Sequence, residues 1–150
     1  MLKQARVEDI SKNRITKLHG HIVVVTHYYP RFLKRKLVDE YIKELAPTRE
    51  LLTEFKSTEK ESGDHDQGFE SMEYESKFTL SESGLAELSR LSTLSATKDV
   101  YLVCHCAIGQ CCHRELLLMI AKGQFGASVG RVHHAYLTFA KRLKESLITR

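Results

Sequence analysis

A chain of 150 residues, 42% hydrophobic and 28% charged, suffices for one domain with a real core and leaves no room for two large ones. Its formal charge of +4, concentrated in Arg31-Phe32-Leu33-Lys34-Arg35-Lys36 and Lys141-Arg142-Leu143-Lys144, permits an acidic partner such as nucleic acid without demanding one. No apolar run can cross a bilayer, and Met1-Leu2-Lys3-Gln4-Ala5-Arg6 lacks a signal-peptide core, so a cytoplasmic protein without a membrane partner is expected.

His21-Ile22-Val23-Val24-Val25-Thr26-His27 reads as a strand buried on both faces, and Pro30 stops its pairing. Leu33, Leu37, Tyr41 and Leu45, with Val38, Ile42 and Ala46 beside them, predict an amphipathic helix over 33–45 that Pro47 ends. Thr48 caps a short helix from Arg49 to Phe55. Residues 56–68, KSTEKESGDHDQG, hold no large apolar side chain and predict a mobile charged loop. Phe69, Met72, Tyr74 and Phe78 lean helical. Ser81 starts a clearer helix carrying Leu85, Leu88, Leu91 and Leu94.

Val100-Tyr101-Leu102-Val103 is the second strand, and Leu116-Leu117-Leu118-Met119-Ile120-Ala121 lies in a long helix after it. Gly123, Gly126 and Gly130 punctuate a turn region; Tyr136, Phe139, Ala140, Leu143 and Leu147 mark a C-terminal helix. Strands followed by helices predict one small α/β domain over residues 1–150, a mostly parallel sheet flanked by helices with a strand-loop-helix site. Ligands of such sheets gather at the carboxyl ends of strands, which brings His27 to Arg31 and Cys104 to Arg114 to one edge.

All four cysteines lie between Cys104 and Cys112, in the segment Cys104-His105-Cys106-Ala107-Ile108-Gly109-Gln110-Cys111-Cys112-His113-Arg114. So tight a group closes only tiny disulfide loops, which points to a site or a packed turn. Cys104, Cys106, Cys111 and Cys112, with His105 and His113, are soft metal ligands, but the spacing lacks the paired Cys-x-x-Cys hairpins of structural zinc sites, so no metal and no cofactor are assigned. The Cys-x5-Arg pattern of a phosphatase loop is not met, since counting from Cys106 the arginine slot falls on Cys112 and Arg114 comes two residues late.

A third reading places Cys112, His113 and Arg114 at a helix N-terminus, where N–H groups and the macrodipole favour an anion and a thiolate. Cys112 and His113 are then the candidate catalytic pair. Arg31 and Arg114 converge on the anion, with His27, Tyr29 and Cys106 as further ligand-binding residues. Cys104, ending a buried strand, is expected to pack as a small apolar residue. His19 and His21 precede the first strand, away from this edge, and adjacent His133-His134 do not share a helix face, so polar contacts are expected of them.

Tyr28-Tyr29-Pro30-Arg31-Phe32-Leu33, then Asp39-Glu40-Tyr41, Leu45-Ala46-Pro47-Thr48-Arg49-Glu50-Leu51-Leu52, and Val103-Cys104 through Cys112-His113-Arg114 together resemble the domain-of-unknown-function family 488, over about residues 20–125. The resemblance implies a small single-domain α/β protein of a bacterial or archaeal cytoplasm and brings no particular reaction with it. The family signature is a Cys, an acidic residue two positions on, and a closing Cys-His-Arg. On this chain these fall on Cys104, on Cys106 in place of the acid, and on Cys112, His113 and Arg114; Pro30 and Arg31 fill its Pro-Arg pair. The expected function is an anion-binding pocket for a nucleotide or nucleic acid. The alternative is a non-catalytic metal- or redox-responsive cysteine-cluster module.

Overall fold

The computed structural model describes residues 1–147, with side chains through Glu145. Strand β1 (Leu2–Arg6) leads into a short helix α1 (Val7–Ser11), followed by β2 (His21–Val24) and the two-residue β3 (Glu40–Tyr41). Helices α2 (Arg49–Ser62), α3 (His65–Ser71), α4 (Tyr74–Lys77) and α5 (Glu82–Leu94) precede β4 (Val100–Cys104). Then come α6 (His113–Phe125), α7 (Leu137–Arg142) and a π-helical turn over Leu143–Leu147. The described strands form one parallel sheet in the order β1-β4-β2-β3.

Alternation along the inner strands divides the core. Val23, Val25, Val100 and Leu102 face a layer containing α2 to α7, whereas Ile22, Val24 and Val103 face Ile10, Leu33 and Val38 on the other side. β2 and β4 are direct neighbours, so their following loops meet at one sheet edge. This is the predicted α/β domain, with both strand-end segments side by side. No helix among the described residues is long and apolar enough to cross a membrane.

Four elements differ from the sequence reading. Residues 33–45 are not a helix: they form two 3₁₀ turns around β3, because the Asp39 and Ile42 N–H groups donate to the carbonyls of Ile22 and Val24 at 2.9 and 3.0 Å. A spacing of four is also a multiple of two, so Leu33, Leu37, Tyr41 and Leu45 suit an extended segment equally, and pairing with β2 decides. β1 was invisible, since only Leu2 and Ala5 are apolar; both are fully buried, and β1 pairs with β4. The expected C-terminal helix begins at Leu137, and the side chain of Leu147 lies outside the described residues.

The charged segment 56–68 is not a loop. α2 runs through it to Ser62, capped by Thr48 Oγ1 accepting from Leu51 N and ended by Gly63 in the left-handed conformation at φ 74°. Asp64 then caps α3 by accepting from the N–H groups of Asp66 and Gln67. A Cβ at Gly68 would lie 2.8 Å from Glu59 Cα, so glycine lets α3 rest on the α2 backbone. The last turns of α2 pack through this close approach, which needs no large side chain.

Candidate functional site

The carboxyl ends of β2 and β4 open into a cavity of about 490 Å³. Its lining includes Thr26, His27 and Tyr28 after β2, Cys104, Cys106, Cys112 and His113 after β4, and Phe55, His65 and Tyr74 from the helical layer. β4 delivers Cys104 to the cavity base, where its residue is only 7% exposed. The loop then turns at Gly109 and returns Cys112 as the N-cap of α6, its N–H held by the Tyr136 hydroxyl at 3.2 Å.

Three thiols meet there. The Sγ atoms of Cys104, Cys106 and Cys112 lie within 4.8 Å of one another, and Cys112 Sγ donates to Cys104 Sγ at 3.7 Å. Next to them, His113 Nε2 sits 2.9 Å from the Val25 carbonyl and Nδ1 3.7 Å from Cys112 Sγ. A carbonyl can only accept, so Nε2 carries a proton and Nδ1 faces the sulfurs.

Hydrogen bonds from the Cys106 and Cys112 thiols, reinforced by His113, hold the Cys104 thiol well below the ordinary thiol range despite its burial. The same bonding, with Cys104 as the acceptor, pushes Cys106 up; burial first and then Cys104 and Cys106 push up Cys112. Burial lowers His113, but the adjoining sulfurs outweigh it and carry the imidazole up to about 10. Burial and the Asp66 carboxylate push Cys111 up to about 12. These directions set Cys104 apart as the most acidic of the three thiols, beside an imidazole that holds its proton.

A second histidine reaches the cluster from α3. His65 Nδ1 lies 2.9 Å from Asp66 Oδ1, and its Nε2 lies 3.3 Å from Cys106 Sγ. Asp66 is buried enough to be pushed up, yet the Cys111 N–H at 2.8 Å and the His65 ring outweigh that and lower it. A carboxylate, an imidazole and a thiol are thus in series.

Arg114 plays a different part from the one expected. It is fully buried, and its guanidinium donates to Gln4 Oε1 at 2.7 Å and to the carbonyls of Ala5, Cys106 and Cys104 at 2.8, 3.2 and 3.4 Å. The fork ties the end of β1 to the cysteine loop, leaving its donors on protein acceptors. Gln4 passes the contact on, donating to the buried Glu115 at 2.8 Å; Glu115 also accepts from the Tyr136 hydroxyl at 2.6 Å and from His133 N at 2.8 Å. Burial raises the Glu115 carboxyl, but these bonds outweigh it and lower its pKa.

Of the predicted ligand-binding residues, His27 and Cys106 line the cavity with the candidate pair Cys112 and His113. Arg31, Arg114 and Tyr29 do not line it. Arg31 is exposed, and Tyr29 packs 5.4 Å from the Tyr41 ring and 4.1 Å from the Arg35 guanidinium. Convergence of Arg31 and Arg114 on one anion is therefore corrected: Arg114 is committed to carbonyls and Gln4. Cys112, expected to gain acidity from the helix N-terminus, is buried against Cys104 and Cys106, and burial first and then those sulfurs push its thiol up. His21 bonds Glu40 at 2.6 Å, outside the lining, while His133 and His134 contact Glu115 and the Gly109 carbonyl.

His65, Asp66, Glu115 and Tyr136 were missed. For the first two a signal existed: Gly63 followed by Asp64 is a helix stop and a helix start, which makes the charged run two helices. Residues able to hold a metal fall into two groups of three among the described residues. No fourth Cys, His or carboxylate atom shares the 4.8 Å spacing of Cys104, Cys106 and Cys112, so a closed tetrahedral set is not assembled. In the other group, Asp66, Cys111 and His134, the Asp66 and His134 side chains already bond Cys111 N and the Gly109 carbonyl.

Residues 6–122 match the family described as DUF488-N3a, the active DUF488-N3 subclade. The chain belongs to this DUF488 family. The matched span includes the Cys104–Arg114 segment and the His65-Asp66 pair. No curated protein and no solved structure matches the chain.

Proposed function

We propose that this DUF488-N3a protein uses the Cys104 thiolate as a nucleophile toward a small ligand seated in the cavity. The observation that carries the reading is the convergence of the Cys106, Cys112 and His113 side chains on Cys104 at the cavity base. In the step, Cys104 Sγ forms a bond to an electrophilic atom and the leaving group departs with the electron pair of the bond that breaks. The His113 imidazolium balances the thiolate beforehand. Arg114, by fixing the carbonyls of Cys104 and Cys106, keeps the thiols aligned. The word "active" in the family's description supports chemistry over binding alone.

The ligand we propose has a planar or apolar body and an anionic group. Phe55, Tyr74 and Leu52 supply apolar wall, and Lys56, His27 and His105 supply positive or proton-donating groups. A nucleotide meets both requirements, and the reading no longer depends on Arg31 or Arg114. Iodoacetamide labelling at neutral pH with peptide mapping tests the assignment: Cys104 should be modified first. Labelling of Cys112 or Cys106 ahead of Cys104 contradicts it, and stoichiometric zinc or iron in protein purified without added metal would favour the metal-holding cysteine cluster instead.

A further inference from the structure

The cavity holds one ionisable array that a thiolate nucleophile does not use. Asp66 Oδ1, His65 and Cys106 Sγ stand in series at 2.9 and 3.3 Å, and Cys106 Sγ is within 4.8 Å of Cys104 Sγ. A carboxylate on Nδ1 fixes the imidazole so that its Nε2 faces sulfur, and Nε2 is then the ring position where a proton passes. His65 and Cys106 both line the cavity, so this proton route ends at the cavity wall.

We propose that His65, oriented by Asp66, supplies through Cys106 the proton that the leaving group takes up when Cys104 attacks. This inference rests on the Cys104 reading. With a disulfide R–S–S–R as electrophile, Cys104 Sγ forms the new S–S bond, the R–S–S–R bond breaks, and R–S⁻ leaves with the electron pair. R–S⁻ takes the Cys106 thiol proton once the Cys104 charge that pushed that thiol up is spent in the new bond, and a protonated His65 returns a proton to Cys106. The products are the Cys104 mixed disulfide, R–SH and neutral His65. Asp66 is a positioning residue, since it touches neither ligand nor reacting sulfur.

Two disulfide probes separate this role from a structural one. A dipyridyl disulfide releases a weakly basic aromatic thiolate that needs no proton, whereas hydroxyethyl disulfide releases a basic alkanethiolate that does. The single-turnover rate of first thiol release is measured for the wild type, His65→Gln and Cys106→Ser. With His65→Gln the dialkyl rate should fall at least about tenfold, at the low side of general acid catalysis, while the dipyridyl rate stays within about twofold. The unchanged dipyridyl rate also shows that the variant is folded. Cys106→Ser alters both the relay and the first hydrogen bond to Cys104, so both probes should slow, the dialkyl probe more than the dipyridyl one.

Equal slowing of both probes in His65→Gln, or of neither, overturns the proton-supply role and leaves the nucleophile reading standing. Wild-type protein whose Cys104 releases thiol from neither probe overturns both.

Discussion

Replacing Arg114 by Ala removes a buried fork from four acceptors, three of them backbone carbonyls. The bonds to Gln4, Ala5 and Cys106, at 2.7, 2.8 and 3.2 Å, are within ordinary hydrogen-bond range, and the 3.4 Å contact to Cys104 adds little. Leaving three buried neutral acceptors unpaired costs roughly 1–3 kcal/mol each, partly offset by relief of the cost of burying the guanidinium, which comes to about 3–5 kcal/mol. For a domain of this size that corresponds to a melting temperature lower by roughly 6–20 °C, at about 2–4 °C per kcal/mol. Urea unfolding followed by circular dichroism gives the first figure, and a thermal melt the second.

Arg114→Lys keeps the charge but cannot span the acceptors, so it should recover under half of the loss. If Arg114→Ala unfolds within about 1 kcal/mol of wild type, at the low end of single-mutation effects, the clamp is refuted. Stabilisation by phosphate in the wild type that vanishes in the variant would return Arg114 to an anion-binding role.

Glu115→Gln should lower the urea midpoint at neutral pH. Because the folded carboxyl titrates below its ordinary value of 4.5, Glu115 stabilises the fold above that value, and the stabilisation is lost as pH falls through the folded pKa; the gap between variant and wild type should therefore close on acidification. His113→Ala removes the imidazolium beside Cys104, so the pH at which Cys104 begins to react with iodoacetamide should move up. Gly68→Ala forces α3 off the α2 backbone; it should destabilise by about 1–3 kcal/mol, as overpacking does, with a change in the His65 ring resonances by NMR. Gly63→Ala, at φ 74° with open space around it, should cost about 1–2 kcal/mol through backbone strain alone, read from the same urea curves.

The strands that carry the site were legible because each is a run of β-branched and apolar residues buried on both faces, His21 to Val24 and Val100 to Cys104. Their adjacency makes the edge argument about His27 and the cysteine loop hold. The direction of Arg114 was not legible: a His-Arg pair opening a helix reads as an anion site until the ends of β1 and β4 are seen to supply carbonyls on the fork. β1 itself escaped because Lys3, Gln4 and Arg6 outnumber its apolar residues, although Gln4 links Arg114 to Glu115. His65 escaped for a different reason, since the last turns of α2 pack through Gly68 instead of through apolar side chains. The acidity order of the thiols depends on which sulfurs touch, and adjacency along the chain carries no such information.

The claim that Cys104 is the nucleophile is tested most directly by titrating ultraviolet thiolate absorbance in metal-free protein, wild type against Cys104→Ser and Cys112→Ser. The account predicts one thiolate that persists well below the ordinary thiol value of 9.0 and is abolished by Cys104→Ser, while Cys112→Ser, which keeps a hydroxyl donor toward Cys104, leaves that thiolate and its amplitude in place. A low-pH thiolate that survives in Cys104→Ser and disappears in Cys112→Ser, or the absence of any thiolate below that value, would contradict it.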